Sequence, residues 1–536
     1  MCGIFSYIGD KYSKEDLLNN FNKIVNRGPD DSRLIKVDNV ILGFHRLAIN
    51  DLSNDGMQPF VRKCVYGDKY LICNGEIYNH KDLYRTFLTT SDVKSNSDCE
   101  VIIHLYMLFG IERTCELLDG VFSFVLYDSS KKTLYASRDP YGVRPLFIGE
   151  TIDRGYMFAS ELKAIHDKCV YVKQFDSGSY LEYKKDYFMI KKYHNLKLYN
   201  NSLNSYSDEF ILDNIRKLLI NAVDKRLLSD RPIGALLSGG LDSSLICGII
   251  CKLYREKGIK TPLKTFSIGI KGSTDLYHAQ TVADYIGSDH HTIECSEEDF
   301  IKAISDVIYN IESYDTTTVR ASVGNYLVAK YIKENTDIVV LFNGDGSDEQ
   351  SGYKYLSKAP DKTAFYDECV KLLNNIQYFD VLRSDRSVSS KWSLEARTPF
   401  LDKSFVDFYM TINPSLKMYN SDNRLPEKYL LRKAFENLNI IPKSVLWRPK
   451  EAFSDGCSSE DRSWHKIIQE YVDKIITDEE FNRHKDNYKI NQPVLKESYY
   501  YRKIFDSFYP GKANVIPYFW LPKWTDEVDP SARELS

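Results

Sequence analysis

The run Ile233-Gly234-Ala235-Leu236-Leu237-Ser238-Gly239-Gly240-Leu241-Asp242-Ser243-Ser244 most constrains what this chain can fold into. Its apolar start reads as a buried strand, two glycines break it, and Leu245 to Tyr254, apolar all round, reads as a helix. A strand that passes through a glycine turn into a helix aims several free backbone N–H groups at one point. The positive end of the helix dipole lies at that same point, which makes it a natural place for phosphate. The serines add hydroxyl donors, and Asp242 is placed to hold a magnesium ion that neutralises phosphate charge. The ordinary alternative is a Ser/Gly-rich turn between strand and helix, and it predicts the same βα unit.

The loop does not fit G-x-x-x-x-G-K-[ST], because no lysine follows the second glycine. Transfer of a γ-phosphoryl group would want that lysine. A loop that grips the β,γ-pyrophosphate as a unit suits cleavage between the α and β phosphates instead. Ser238-Gly239-Gly240-Leu241-Asp242-Ser243-Ser244 resembles the PP-loop of ATP pyrophosphatases, which adenylate a carboxylate or similar oxygen.

With 536 residues, the chain has material for two to four domains and more than one core. A hydrophobic fraction of 43% and a charged fraction of 27% are those of a globular protein. The formal charge of −4 and a pI near 6.3 leave no basic footprint for nucleic acid. Val101 to Phe109, the longest apolar stretch, is interrupted by His104 and is far too short to span a bilayer, so no membrane is expected. The 11 cysteines follow no disulfide-framework spacing. Cys247 and Cys251 lie one helical turn apart without a second Cys/His pair, which argues against zinc. A reducing, cytoplasmic setting is expected, with most of these thiols as small core residues.

Cys2 is the exception. Removal of Met1 would leave its thiol beside its own α-amino group, whose reference pKa is roughly 7.7–8.0. One residue then supplies nucleophile and base, taking the thiol proton and returning a proton to a leaving group. Three further segments accompany it: the loop Asn26-Arg27-Gly28-Pro29-Asp30, the strand in Gly43-Phe44-His45-Arg46-Leu47-Ala48-Ile49, and Asn74-Gly75-Glu76-Ile77-Tyr78-Asn79 following the strand Tyr70–Cys73. Arg46 could pair bidentately with a substrate carboxylate. The Asn74 amide and the Gly75 N–H could form an oxyanion hole, and Asp98 offers a carboxylate to an α-ammonium. Each also has a plain structural reading, as hairpin turn, surface arginine and helix N-cap.

Cys2-Gly3-Ile4, Arg27-Gly28-Pro29-Asp30, His45-Arg46-Leu47-Ala48, Asn74-Gly75-Glu76-Ile77-Tyr78-Asn79 and Asp119-Gly120-Val121-Phe122 resemble class II glutamine amidotransferase domains, which use an N-terminal-nucleophile (Ntn) αββα sandwich. The resemblance covers most of residues 2–190. It implies that Cys2 attacks the glutamine amide while Asn74 and Gly75 hold the oxyanion. By the same resemblance Arg46, Leu47, Ala48, Ile49, Asn50, Glu76 and Asp98 surround the glutamine, and glutamate and ammonia are the products.

From residue 193 to 207 the composition (Asn, Ser, Tyr, Lys) predicts a linker, followed by a helix over Asp208–Leu228. Lys264–Ile270 and Ile338–Phe342 read as further parallel strands, with Ile268 near the adenine and Asn343-Gly344-Asp345-Gly346-Ser347-Asp348-Glu349 at a strand end facing the first loop. Thr317–Ser322, Leu382–Arg386, Leu394–Asp402, Trp447–Gly456 and Asp529-Pro530-Ser531-Ala532-Arg533 resemble the asparagine synthetase family of the glutamine-hydrolysing kind, so the resemblance reaches nearly end to end. It implies that ATP adenylates aspartate, that ammonia displaces AMP, and that two chains pair as a dimer. The implied nucleotide residues are Leu236, Ser238, Gly239, Gly240, Asp242, Ser243, Ser244, Ile268, Asn343 and Gly344. Asp242 and Asp348 would hold Mg2+, with Arg320 and Lys450 offsetting charge at the α-phosphate and carboxylate.

The expected architecture is an Ntn sandwich over 2–192, a linker over 193–207 and a Rossmann-like PP-loop domain with helical C-terminal additions over 208–536. The family usually shows Ser-Gly-Glu-Gly-Ser-Asp-Glu where this chain has Asn343-Gly344-Asp345-Gly346-Ser347-Asp348-Glu349. Asp345 is one methylene shorter than that glutamate, which predicts a slower synthetase step. Two rival readings remain: a β-lactam-synthetase-like relative that closes an internal amide, for which an intact Cys2 is not expected, and a degenerate scaffold.

Overall fold

The computed structural model describes all residues except 89–92, 186, 201–205, 420–424, 460, 532 and 535–536. Part of the predicted linker, and Ala532 in the closing motif, therefore lie outside the described residues. Among the described residues the first half is built from twelve strands. They are β1 (Gly3–Ile8), β2 (Asp31–Val37), β3 (Val40–Arg46), β4 (Phe60–Arg62), β5 (Lys69–Ile77) and β6 (Gly120–Asp128). The remainder are β7 (Thr133–Arg138), β8 (Phe147–Thr151), β9 (Tyr156–Ala159), β10 (Cys169–Gln174), β11 (Ser179–Lys184) and β12 (Tyr187–Lys192).

These form two six-stranded antiparallel sheets, ordered β10-β8-β9-β1-β3-β2 and β12-β11-β7-β6-β5-β4. Ile4, Leu42, Phe44, Phe158, Ile72, Val125 and Ala136, drawn from both sheets, pack into one core between them. Outward-facing Cys73, Phe122, Phe124 and Leu126 pack beneath the helix Val101–Leu117, while Phe5, Tyr7 and Met157 take Leu17 and Phe21 of the helix Lys14–Asn22. The central strands β1, β3, β6 and β7 are buried on both faces, as the four-layer sandwich requires, while the edge strands β2 and β12 are largely exposed.

The second half adds β13 (Ile233–Leu236), β14 (Lys264–Ile270), β15 (Asp289–Cys295), β16 (Val340–Phe342) and β17 (Glu395–Arg397). All neighbours pair in parallel, in the order β15-β14-β13-β16-β17. The strand order reverses direction at β13, so the loops after β13 and β16 splay apart above the sheet and open a crevice. The expected fold class is the observed one: an α/β sandwich followed by a Rossmann-like parallel sheet with a helical C-terminal region.

The helix after the glycine loop runs Leu241–Glu256, longer at both ends than its apolar core, and so takes Asp242 and Ser243 into its first turn. Gly239 has φ +74°, and a Cβ there would collide with the backbone of Ala279, so only glycine lets the loop close on the next helix. Among the described residues no helix is long and apolar enough to cross a membrane.

Candidate active sites

Cys2 directly precedes β1, and the Gly3↔His45 register of β1 with β3 brings Leu47 against it. The Leu47 N–H donates to Cys2 Sγ at 3.5 Å, and Sγ lies 3.7 Å from Leu47 O. Burial pushes the thiol up to about 11, with the adjacent Met1 amine opposing that shift. Met1 is itself buried, its amine 4.0 Å from Glu395 of the second half, and burial lowers that amine's pKa.

Asn74-Gly75-Glu76 do not follow a strand, as the sequence suggests, but lie within one: β5 continues to Ile77, paired throughout with β6 as Asn74↔Ser123 and Gly75↔Phe122. Cross-strand pairing has overridden the turn preference of Asn-Gly. The β4 partner on the other edge reaches only Leu71, so beyond it that edge of β5 is unpaired among the described strands. Asn74 is fully buried, and neither its amide nitrogen nor its oxygen has a hydrogen-bond partner. An unsatisfied buried amide costs roughly 1–3 kcal/mol. A bound substrate oxygen would satisfy it.

Asp98 accepts from the Ile77 N–H and, at 3.4 Å, from Asn50 Nδ2; Asn50 also donates to Glu76. The N-cap reading of Asp98 fails, since Ser97 occupies that position before the turn Asp98–Glu100 and Asp98 instead reaches back to β5. Burial raises the Asp98 pKa. Burial and then the Asp98 charge hold Glu76 well above the usual carboxylate range. Arg397 of β17, 3.8 Å from the Glu76 carboxylate, opposes that shift. Arg46 donates to Ser53 O at 2.7 Å and to Asp51 O, and the Ala48 N–H donates to Asp30 at 2.9 Å. Leu47 and Ile49 pack into a core shared with Leu241, Leu245 and Phe400 of the second half.

In the second half one cavity is lined by Leu236, Ser238, Gly240, Asp242 and Ser243 after β13, by Phe266, Ser267 and Ile268 of β14, and by Asn343–Gly346, Asp348 and Glu349 after β16. Lys450 and Phe453 close it from the C-terminal region. Gly239 and Ser244 are not on its wall: Gly239 braces the loop against the next helix, and Ser244 is fully buried in the first turn behind it.

Asp242 and Asp348 face one another. Lys428 Nζ lies 2.6 Å from Asp242 Oδ2 and 2.6 Å from Asp348 Oδ1, while Lys450 Nζ is 2.8 Å from Asp348 Oδ2. Ser347 Oγ donates to Asp242 Oδ1 at 2.9 Å. Burial alone would raise the Asp348 pKa, but Lys428 and then Lys450 override it and hold the carboxyl well below its ordinary range. Lys450 is held protonated, Asp348 and Asp242 outweighing the burial that opposes it.

Asp345 contacts Arg383, which also reaches Asp380 at 3.4 Å, and the Asp345 N–H donates to Asn343 Oδ1 at 3.3 Å. Burial raises the Asp345 pKa, opposed by Arg383.

The expectation for Arg320 is corrected. Its guanidinium is buried and forked between Glu497 (2.8 and 2.6 Å) and Asp529 (2.7 and 2.9 Å), and it does not line the cavity. Four charge-assisted bonds engage four of its five N–H groups, so it buttresses the helix Thr316–Asn335 whose Thr317, Ala321 and Asn325 do face the cavity.

Lys428, Arg383, Asp380 and Tyr353 escaped the sequence reading. Arg383 lies inside the matched run Leu382–Arg386, so a signal existed; Lys428, between Glu427 and Tyr429, carries none.

Residues 1–202 match the family described as glutamine amidotransferase domain, and residues 214–368 and 357–527 match asparagine synthase. The chain is 43% identical over 561 residues to the asparagine synthetase [glutamine-hydrolyzing] of Gallus gallus, covering 100% of this chain and 98% of that one. It is 43% identical over 564 residues to the Mus musculus protein of that name, covering 100% and 99% of the two chains. The Homo sapiens protein of that name gives 43% over 561 residues, with 100% and 99% covered.

Proposed function

The chain belongs to the glutamine-hydrolysing asparagine synthetases, and from that premise we propose how its residues divide the work. With Met1 removed, the Cys2 amine takes the thiol proton as Sγ attacks the glutamine side-chain carbonyl. The oxyanion is received by the unpartnered Asn74 amide and the Gly75 N–H. Ammonia leaves with the returned proton, and water hydrolyses the thioester to glutamate. Glu76 and Asp98 receive the α-ammonium, while Arg46 faces the α-carboxylate.

In the second site ATP lies across the carboxyl ends of β13, β14 and β16, its adenine by Ile268 and its pyrophosphate on Ser238–Ser243. An aspartate β-carboxylate oxygen attacks the α-phosphorus, the bond to the bridging oxygen breaks, and pyrophosphate departs. Lys450 offsets charge on the phosphates. Ammonia then attacks the acyl carbon, the bond to AMP oxygen breaks, and asparagine forms as the nitrogen loses a proton to Asp345 or water. A carboxylate resists nucleophiles until its oxygen becomes a good leaving group, which sets this order.

Asp242 and Asp348, which converge closely enough to share the Lys428 ammonium at 2.6 Å from an oxygen of each, are the residues that would hold a magnesium ion. When bound it would neutralise charge on the pyrophosphate. The reading extends to a cytoplasmic setting and a homodimer, in line with the free cysteines and the family.

The observation that carries the reading is the single cavity that joins the Ser238–Ser243 loop, the Asn343–Asp348 loop and Lys450. Its test is mass analysis of the products from ATP, aspartate and amide-¹⁵N glutamine. ¹⁵N-asparagine with AMP and pyrophosphate is expected from the wild type. Cys2→Ala should yield asparagine from ammonia alone. Release of ADP and phosphate, or ¹⁵N transfer by Cys2→Ala, would overturn it.

A further inference from the structure

The first half docks on the open edge of the second-half sheet. Arg144 Nη1 donates to Ala396 O of the edge strand β17 at 3.1 Å. Glu395 and Arg397, two residues apart, leave that strand on one face, and both meet groups of the first half there. Glu395 is buried, and its two oxygens are used unequally. Oε1 accepts from Arg397 Nε at 2.8 Å. Oε2 faces Arg144 Nη2 at 3.6 Å and the Met1 amine at 4.0 Å, both beyond hydrogen-bond reach. Around it Arg144 Nε and Nη2 and Arg397 Nη2 are buried without a hydrogen-bond partner. Polar groups left in that state hold water once there is room for it.

Met1, itself buried, fills that room. Its removal opens a polar space bordered by Glu395 Oε2 and the Arg144 guanidinium, and carries the α-amine one residue along, onto Cys2. One residue of extended chain spans at most about 3.6 Å, so the new amine stays on the rim of this space. Arg27 Nε fixes the backbone there, donating to Cys2 O at 3.1 Å. Of the charged groups facing the present terminal amine, Glu395 acts most strongly, with Arg144 and Arg27 opposing it. Glu395 and Glu76 are the acids that act on the neighbouring thiol. Arg397 and Arg144 keep the Glu395 carboxylate ionised against its burial.

We propose that Glu395 is a positioning residue for glutamine hydrolysis: the second half supplies the carboxylate that orients the Cys2 amine, directly or through one water, and steadies its ammonium form. This role rests on the reading of Cys2 as an N-terminal nucleophile. As Sγ bonds to the amide carbon, the thiol proton passes to the amine. The negative charge moves on to the substrate oxygen at Asn74 and Gly75, sulfur becomes a neutral thioether, and positive charge stays on nitrogen. A carboxylate beside that nitrogen therefore stabilises the tetrahedral state more than the resting thiol and amine. The ammonium then returns its proton to the leaving nitrogen as the carbon–nitrogen bond breaks. Nucleophile, base and orienting acid make up a triad whose acid comes from the other half of the chain. The first half is a complete glutaminase only while β17 is docked against it.

The test is the pH dependence of glutamine hydrolysis by the full-length protein with Met1 removed, without ATP or aspartate. kcat/KM rises through the pKa of the base, which must be neutral to accept the proton. Glu395→Gln should move that ascending limb down by about one pH unit and lower plateau kcat by at least about tenfold. KM for glutamine should change only a few-fold. Glu395→Asp should restore the limb and part of kcat. A merely structural role would lower the melting temperature and the amount of active enzyme and leave the limb in place. Should Glu395→Gln not fold, Arg144→Gln is profiled instead, and loss of that cation should move the limb up. Coincident limbs in wild type and variants would overturn the proposal while leaving Cys2 as the nucleophile. Alkylation by a diazoketone analogue of glutamine, mapped by peptide mass, checks that reading separately. A wild type alkylated elsewhere than at Cys2, or retaining Met1 in its active form, would remove both.

Discussion

The guanidinium of Arg397, at the end of β17, comes within 3.8 Å of the Glu76 carboxylate on β5. The same arginine donates to Glu395 Oε1 at 2.8 Å and to Leu228 O at 2.6 Å. An edge strand of the second-half sheet thus touches the proposed glutamine pocket directly. Arg397→Met should leave Glu76 and Glu395 buried without that partner, at a cost of about 3–5 kcal/mol. The expected outcome is a lower melting temperature and a several-fold higher KM for glutamine. Synthesis from ammonia should change much less, as paired kinetics with the two nitrogen sources will read.

Asp345 is tied to Arg383 and is one methylene shorter than the family's glutamate. A misplacement near 1 Å can cost about 10²-fold in rate. Asp345→Glu should therefore raise kcat for ammonia-dependent synthesis. Asp345→Asn should lower it by about 10²-fold with little change in KM for ATP. Steady-state pyrophosphate release measures both.

Arg320→Ala should destabilise the protein by about 3–5 kcal/mol, because it strands Glu497 and Asp529 in the interior. Per folded molecule, KM for ATP should stay within a few-fold, since the guanidinium does not face the cavity. Urea denaturation with active-site titration separates the two effects. Arg320→Lys should restore only part of the stability, as one ammonium cannot fork between two carboxylates.

Acid should destabilise the buried ion pairs near the contact between the halves in a defined window. Lys163 and Arg27 hold Glu161 at about 2 against the burial that would raise it, and Arg397 and Arg144 do the same for Glu395. Both values lie below the ordinary glutamate value near 4.3. A depressed carboxylate contributes stability that is fully present above its unfolded pKa and lost as pH falls through the folded one. Each should contribute on the order of a few kcal/mol. Melting temperature should therefore drop between about pH 4.3 and pH 2. Glu161→Gln should flatten that part of the curve while lowering stability at pH 7.

The elements carrying the nucleotide loop were legible because their signals are local. An apolar run, two glycines and a helical repeat lie within two dozen residues, and parallel strands with turn acids recur after it. Cys2 was legible through its place in the chain. Asn74 and Gly75, which we propose as site residues, were set in the wrong element, because a turn dipeptide says nothing of the β6 partner that extends the strand. Arg320 went astray for a related reason. Its motif is local, while its carboxylates, Glu497 and Asp529, lie 177 and 209 positions away.

The order of residues alone determined most of the strands and helices around the proposed nucleotide loop and which side chains bring a thiol, an amide or a carboxylate, since these depend on short-range sterics and on chemistry each residue brings with it. Tertiary structure decided which charges neutralise which. Lys428 and Asp242 stand 186 positions apart, and their contact exists only because the packed sheet and the C-terminal helices exclude water between them. Without that exclusion the ion pair would be a weak, solvated one, and the pocket would have no internal cation.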